Sequence, residues 1–288
     1  MFCVEGPARM SYSGGFLVIS AKSVRFLMKF TVRLLFMLAL SARCLLAQGP
    51  DTVFLEELTW TEIRDRIEQG TTSAIIATGG TEQNGPHMVT GKHNFIVRET
   101  AEKIARELGD TLVAPIVAFV PEGDPDNVMK PGVISLPNKF FVKLLENAAR
   151  SLKSGGFTDI ILIGDSGGNQ LGMQEMAKLL NMEWKEEAGR IHYVSDYYHN
   201  NGFRDWLLSQ GETREDIGTH AGITDTSQLL ALDPALIRPN LMAPMGGFEG
   251  SGVRGNPLKA RAEYGRIGLQ MKVDAALKQI RKLMAARN

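Results

Sequence analysis

The sequence predicts an α/β fold built on a mostly parallel sheet. Between residues 55 and 195, short apolar runs alternate with amphipathic stretches, the order expected for strands joined by crossover helices. The apolar runs are nearly continuous, which is typical of strands covered by helices on both faces. Hydrophobic residues make up 44% of the 288-residue chain and charged residues 22%, so the chain can bury a substantial core and disorder is excluded.

The strands and helices can be placed in order. The predicted strands cover residues 73–78, 112–120, 159–164 and 191–194. Apolar residues at helical spacing predict two helices between these strands, over residues 97–108 and 141–152. A polar, Gly-rich segment then precedes a last helix over roughly residues 258–286. No internal repeat or low-complexity linker interrupts this order, so we expect one large domain.

The first 47 residues differ from the rest in charge. They hold six of the 32 basic residues and one of the 32 acidic residues. A basic start at Lys29, an apolar run over 34–40 and small or apolar residues ending at Ala47 predict a secretory signal peptide. The apolar run is too short to cross a bilayer of about 30 Å, so no stable membrane anchor is expected. We therefore predict a leader over 1–47, an α/β domain over 48–288, and export to the periplasm or the extracellular space.

Removing this leader changes the composition of the predicted mature chain. Both cysteines, Cys3 and Cys44, lie in the leader, so the mature chain has neither a disulfide nor a thiolate metal ligand. It retains 26 basic and 31 acidic residues and is mildly acidic. Nothing in this charge pattern indicates a nucleic-acid partner, and a small molecule is the expected ligand.

Candidate functional residues follow the first predicted strand. In open α/β sheets, ligands bind outside the carboxyl ends of the strands. The loop over residues 79–93 offers Glu82, His87 and His93, and oxygen and nitrogen ligands of this kind suit zinc or manganese. The alternative is a polar loop whose histidines are merely hydrogen-bonded.

Two further polar clusters lie at similar junctions. In the loop over 164–169, glycines next to Asp165 and Ser166 let the backbone approach a ligand, and its amides could hold an anion. A simple strand-to-helix turn explains the same glycines almost as well. A third cluster, over residues 220–227, begins with His220 and contains Asp225.

Four motifs in this order resemble the creatininase (creatinine amidohydrolase) family. The run Thr-Glu-Gln-Asn-Gly-Pro-His over 81–87 is similar to its Gly-Ser-Thr-Glu-x-His-Gly-Pro-His signature. The other matches are Pro-Gly-Val-Ile-Ser-Leu over 131–136, Gly-Gly-Phe over 155–157 leading into Gly-Gly-Asn over 167–169, and His-Ala-Gly over 220–222 with Asp-Thr-Ser over 225–227. The resemblance implies a three-layer α/β/α sandwich that hydrolyses a carbon–nitrogen bond in a small cyclic or amide substrate with a pair of divalent metals. It also implies a homo-oligomer, often a hexamer, in which residues 246–255 could reach a neighbouring subunit.

The family's metal-ligand positions are altered in this chain. Glu82 matches the family's glutamate, whereas His93 stands in place of the bridging aspartate and Asp225 in place of a glutamate. Two divalent ions about 3.5–4 Å apart need an anion between them, so a two-metal site is not expected. The remaining set of Glu82, His93 and Asp225 predicts one zinc or manganese ion with a position left for water. Asp165 could be a further ligand, or it could accept a hydrogen bond from one of the ligands.

The resemblance also distributes the other roles. His220 matches the family's His-Ala-Gly histidine and is predicted to shuttle a proton, with Asp165 and Ser166 completing the catalytic set. Six positions are predicted to contact the substrate. Two of them depart from the family pattern, Asn84 and Lys130, and four keep its framework, His87, Gly167, Gly168 and Asn169.

Three alternatives stay open on the sequence. The chain could be a non-catalytic small-molecule binding protein on the same fold, or a hydrolase of a dehydrosugar ring. Ser166 could be a nucleophile with His220 as its base. Glu122, Asp124 and Asp126 form a further acidic loop that could approach the site, but solvated turn chemistry explains them as well.

Overall fold

The computed structural model describes residues 50–123, 131–243 and 250–286, and from Thr52 onward they belong to one compact unit. The strands in this part of the chain are β1 (Ser73–Thr78), β2 (Thr111–Val113), β3 (Asp159–Gly164) and β4 (Arg190–Tyr193). The α-helices are α1 (Trp60–Glu68), α2 (Lys92–Leu108), α3 (Asn138–Ser154), α4 (Asn169–Glu183), α5 (Phe203–Ser209), α6 (Arg214–Ile217), α7 (Ile223–Leu232) and α8 (Ala262–Ala285).

The four strands form one parallel sheet in the order β2-β1-β3-β4. The central pair, β1 and β3, is in register from Ser73 opposite Asp159 to Thr78 opposite Gly164, and all twelve of their residues are buried. The second predicted strand is shorter than expected. β2 ends at Val113 because Pro115 has no N–H to donate to a ladder, and only an isolated bridge between Thr78 and Val117 continues the pairing.

Helices cover both faces of the sheet, which confirms the predicted three-layer α/β/α architecture. Successive residues of a strand point to opposite faces. Ile75 and Ile161 accordingly pack in a core with α2 and α8, while Ile76 and Ile160 pack in a second core with α3 and α4. This alternation explains why β1 and β3 carry apolar residues on both faces, over 74–77 and 160–163.

The long helices lie where the periodicity predicts them, with shifted ends. The last helix begins at Ala262 rather than near Leu258, because Pro257 opens a separate 3₁₀ turn, Pro257–Lys259. None of the helices in the described ranges is long and apolar enough to cross a membrane. The predicted leader, Lys130 and residues 244–249 lie outside the described residues.

Candidate active site

The loops that follow β1 and β3 meet the start of α7 around a cavity of about 690 Å³. Parallel strands place their carboxyl ends at one edge of the sheet, so residues distant in sequence converge there. Of the predicted site residues, the cavity is lined by Glu82, His93, Asp165, Ser166, Gly167, Gly168, His220 and Asp225. The structure therefore brings together most of the side chains that the sequence singled out.

Lys92, the first residue of α2, lies between two of the predicted metal ligands. Its Nζ donates to Asp225 Oδ2 at 2.8 Å and lies 3.2 Å from Glu82 Oε1. Burial lowers the pKa of the Lys92 ammonium, but the facing carboxylates of Asp225 and Glu82 outweigh it and hold the pKa above its ordinary range. Burial raises the pKa of Asp225, but the Lys92 ammonium lowers it by more. The pKa therefore lies below its ordinary value, and this carboxylate stays ionised.

His93, the next residue, contacts a carboxylate with each ring nitrogen. Its Nδ1 lies 2.7 Å from Asp165 Oδ2 and its Nε2 lies 2.8 Å from Glu82 Oε1. Ionised carboxylates only accept hydrogen bonds, so both nitrogens must carry protons and the ring is an imidazolium. Burial and Lys92 lower the pKa of His93, but the hydrogen bonds to Asp165 and Glu82 raise it to about 9. The pKa of Glu82, raised by burial, is lowered by His93 and Lys92 to about 2.

Asp165 is held by partners from three elements. Besides His93, it accepts hydrogen bonds from Tyr197 Oη at 3.1 Å and from Lys272 Nζ, which projects from α8. Burial raises the pKa of Asp165, yet Lys272 and His93 keep it below the ordinary value. The carboxylate is thus ionised and fully engaged within the protein.

These groups form a chain of alternating charges with cations and carboxylates in equal number. In order, the chain runs through Asp225, Lys92, Glu82, His93, Asp165 and Lys272. Buried charges are tolerated when each is paired and hydrogen-bonded, as here. The site therefore balances its carboxylates with the protein's own cations.

As the side chains are arranged, this donor set does not fit a metal ion. Glu82, His93 and Asp225 do converge, but Lys92 Nζ lies between the two carboxylates. A histidine ligand must offer a lone pair, and both nitrogens of His93 are occupied by hydrogen bonds to carboxylates. Across the described ranges, no group of three or more His, Cys, Asp or Glu residues is placed to hold a metal.

Glu122 belongs to the acidic loop for which the sequence left two interpretations open, an approach to the site or a solvated turn. Its side chain lines the cavity although the residue is only 4% exposed, and its Oε1 has no hydrogen-bond partner among the described residues. Burial raises the pKa of this carboxyl to about 7, with the nearby Glu82 charge adding to the rise and His93 opposing it. Glu122 is therefore the carboxyl in this cavity that can gain and lose a proton near neutral pH.

Two glycines make room for the segment that carries Glu122. A Cβ on Gly80 would lie 1.9 Å from Glu122 Oε1, and a Cβ on Gly168 would lie 1.9 Å from the carbonyl oxygen of Pro121. Gly80 also has a φ of +146°, which side chains rarely adopt. The glycines of both loops thus serve close backbone packing around Glu122.

His220, a predicted catalytic residue, has an unprotonated ring nitrogen that faces Glu82. Its Nε2 donates to the backbone oxygen of Gln83 at 2.7 Å, which leaves the lone pair on Nδ1, 3.7 Å from Glu82 Oε1. Burial and the Lys92 charge lower the pKa of His220, so the ring is neutral at pH 7. Its geometry suits a group that accepts a proton and returns it.

Three of the predicted substrate contacts have a structural role instead. Asn84 donates to the backbone oxygens of Glu82 and Val89, and Asn169 donates to Thr78 Oγ1 and the oxygen of Gly79. His87 is fully buried, with Nε2 3.1 Å from Thr226 Oγ1. None of these three lines the cavity, because each is used to brace a loop. Gly167 and Gly168 do line it, and Lys130 lies outside the described residues.

Sequence reasoning missed Lys92 and Lys272, although both leave a signal. A lysine in the first turn of a helix opposes the helix dipole, so Lys92 needs compensating carboxylates nearby. Lys272 falls on the apolar face of α8 beside Leu269 and Val273, where an unpaired ammonium would not be buried. For Glu122, the sequence could not choose between a site loop and a solvated turn, because its burial depends on the packing of two other loops.

The protein is a three-layer α/β/α sandwich with a cavity lined by charged side chains at the carboxyl ends of its parallel strands. The sequence model of the Creatininase family, described as creatinine amidohydrolase, matches residues 56–280. The chain belongs to the creatininase family, as its four motifs indicated. The relatives named below are hydrolases, an amidohydrolase and a peptidase.

Among characterised proteins, the chain is 25% identical over 197 residues to a creatinine amidohydrolase of Pseudomonas putida, covering 65% of this chain and 74% of that protein. It is 27% identical over 165 residues to a mycofactocin precursor peptide peptidase of Mycolicibacterium smegmatis, covering 56% of this chain. The chain spans less than two thirds of the length of the latter protein, 58%.

Solved structures of creatininases share the fold. A tryptophan-to-alanine mutant creatininase superposes with a TM-score of 0.70 at 22% identity, covering 81% of this chain and 98% of that chain. A manganese form of creatininase gives a TM-score of 0.69 at 22% identity, again covering 81% of this chain and 98% of that chain. A mutant creatininase described as a Zn-Zn type gives 0.67 at 20% identity, with the same coverage. The manganese and Zn-Zn forms are thus described with divalent metals.

Proposed function

We propose that this protein hydrolyses a carbon–nitrogen bond in a small polar molecule, with a cyclic amide as the substrate class. The observation that carries the proposal is Glu122, a buried carboxyl on the cavity wall with an unpartnered oxygen and a pKa of about 7. A general base works best when its pKa lies near the working pH. The cavity of about 690 Å³ also suits a small ligand.

In the proposed reaction, the Glu122 carboxylate takes a proton from water as the water oxygen attacks the amide carbon. The carbonyl oxygen gains negative charge at the start of α4, where Gly167 and Gly168 line the cavity and the helix N-terminus favours an anion. The carbon–nitrogen bond then breaks, and the leaving nitrogen takes up the proton that Glu122 received. His220 Nδ1 relays that proton between Glu122 and the leaving nitrogen. No step requires a metal, because the donor set of this site does not fit one.

The comparisons support an amide rather than the dehydrosugar alternative. One relative acts on creatinine, a second is a peptidase, and one similar structure is a mutant creatininase complexed with creatine. A non-catalytic binding protein is the remaining candidate, and one observation favours it. The carboxylates of the charge chain are all neutralised within the protein, as expected for a site that has lost its chemistry.

Glu122→Gln tests this proposal. Purified protein is assayed against creatinine, other lactams, linear amides and dehydrosugars. For the substrate that turns over, kcat/KM should rise with pH to a plateau with a midpoint near 7, because Glu122 must lose its proton to act as a base. Glu122→Gln should lower kcat by roughly 100- to 10,000-fold and abolish this midpoint.

Glu186→Gln, at an exposed glutamate away from the cavity, is the matched control and should leave the profile unchanged. Turnover that survives Glu122→Gln would remove Glu122 from the mechanism. Binding of one of these compounds without turnover, seen by calorimetry, would favour the non-catalytic alternative.

A further inference from the structure

We propose that the ammonium group of Lys92 takes the place of a metal ion in this protein, so that the site is assembled around a built-in cation. This inference does not rest on the proposed hydrolysis, since it concerns what holds the site together. It departs from the solved creatininases described as manganese and Zn-Zn forms.

The position of Lys92 carries the argument. Its Nζ lies 2.8 Å from Asp225 and 3.2 Å from Glu82, and the residue is only 2% exposed. A cation that bridges two carboxylates neutralises their repulsion, as a divalent ion would. A metal ion about 2.0–2.2 Å from the same oxygens would overlap the ammonium, so the two cations exclude each other.

The charge balance points the same way. Three carboxylates, Glu82, Asp165 and Asp225, face three cations, Lys92, His93 and Lys272. A divalent ion added to this set would leave excess positive charge in a buried site even with Glu122 ionised, which is unfavourable. The position of His93 adds a second barrier, because its two ring nitrogens already contact the carboxylates of Asp165 at 2.7 Å and Glu82 at 2.8 Å.

The first experiment measures metal in the wild-type chain, purified without chelator and without a metal-affinity column. Elemental mass spectrometry of the acid-digested protein should find less than about 0.1 equivalent of manganese or zinc per chain. A single occupied site would give about one equivalent. The melting temperature should not change on adding EDTA or millimolar Mn²⁺ or Zn²⁺. A stoichiometric metal, or a melting temperature that EDTA lowers, would overturn the proposal.

The second experiment replaces Lys92 with alanine. This change leaves Glu82 and Asp225 facing each other across space that the ammonium filled, and we expect the melting temperature to fall by roughly 6–20 °C. Saturating Mn²⁺ should then raise it by at least about 5 °C, because the vacated position binds a cation. Wild-type protein should show no such shift.

Two further variants separate charge from position. Lys259→Ala removes an exposed lysine that also contacts two acidic residues, Glu212 and Asp216, and should gain no response to Mn²⁺. Lys92→Arg keeps the charge and should likewise stay unresponsive. If soluble Lys92→Ala gains no response, the ammonium does not stand in for an ion. If that variant does not fold, the wild-type metal content and EDTA measurement decide the matter. Loss of turnover alone would bear only on the proposed function.

Discussion

Lys92 and His93 place two cations in the first turn of α2, where the helix dipole already contributes partial positive charge. Local rules disfavour this arrangement, and proteins break such rules mainly at functional sites. Here the cost is offset by the carboxylates of Glu82, Asp165 and Asp225, which reach the helix start from three other segments. The residues that oppose helix formation therefore assemble the site.

The protonation of His93 gives a prediction for stability against pH. Its pKa is raised to about 9 from an ordinary value of 6.5, so the proton stabilises the folded state. This contribution is complete below pH 6.5 and is lost as the pH rises through about 9. Glu82 has the opposite sign, because its pKa of about 2 lies below the ordinary 4.5, and its contribution is lost only as the pH falls towards 2.

We therefore expect the melting temperature to decline between pH 6.5 and 9, measured by calorimetry at constant ionic strength. Glu122, whose pKa is raised to about 7, adds a decline between pH 4.5 and 7, so the fall attributable to His93 is read above pH 7. His93→Asn should be less stable at pH 6.5 and should lose most of the slope above pH 7. His199→Asn, at an exposed histidine, should keep the slope above pH 7. A wild-type melting temperature that stays level from pH 7 to 9 would contradict an imidazolium at His93.

At the scale of elements, the site depends on how closely three loops pack. The turn between β3 and α4 presents Gly168 to the segment that carries Pro121 and Glu122, and the turn after β1 presents Gly80 to the same segment. This packing buries Glu122, and burial is the main cause of its raised pKa. The loop glycines thus influence the proton affinity of a residue that is far from them in sequence.

Gly168→Ala tests this packing. Gly168 has ordinary helical backbone angles, φ −62° and ψ −25°, so alanine is accepted by the backbone but its Cβ would lie 1.9 Å from Pro121 O. Such overpacking costs about 1–3 kcal/mol of unfolding free energy, or roughly 2–12 °C in melting temperature.

The control for this substitution is Gly155→Ala. Gly155 also has helical angles, φ −77° and ψ −6°, but the nearest atom to its added Cβ is at 3.3 Å. Its effect should stay within about 0.5 kcal/mol. Equal stability of the two variants would show that the loop does not need the close approach at Gly168.

At the scale of the whole molecule, the predicted leader over residues 1–47 gives an expectation about the mature protein. The basic start, apolar run and small residues predict cleavage after Ala47 and export. We expect intact-mass measurement and N-terminal sequencing of secreted material to give a first residue at Gln48. Full-length chain that retains Met1 in the cytoplasm would refute export, and Leu38→Arg, which interrupts the apolar run, should block processing.

Assembly into a homo-oligomer, including a hexamer, stays a prediction. The described part of the Gly-rich segment lies against its own chain: Arg254 exchanges backbone hydrogen bonds with His220, and Gly252 lies close to Gln83. These residues therefore support the His220 side of the same chain's cavity.

Most of the fold could be predicted from the sequence. The continuous apolar runs of β1 and β3 and the periodic faces of α2, α3 and α8 are local patterns, and each reports how its own segment is buried. The family motifs likewise located the loops that form the cavity. The predictions were wrong at the end of β2 and at the start of α8, where Pro115 and Pro257 remove backbone donors.

Only the tertiary structure decided which charges meet. Lys272 binds Asp165 across 107 residues of sequence, and Lys92 binds Asp225 across 133. Sequence spacing says nothing about such contacts, because parallel strands and their helices bring distant loops to one edge of the sheet. The sequence by itself determined an α/β domain of this family with altered ligand positions. The folded chain determined that ammonium and imidazolium groups neutralise the remaining carboxylates, since ionic pairing depends on distances of a few ångströms that no local pattern encodes.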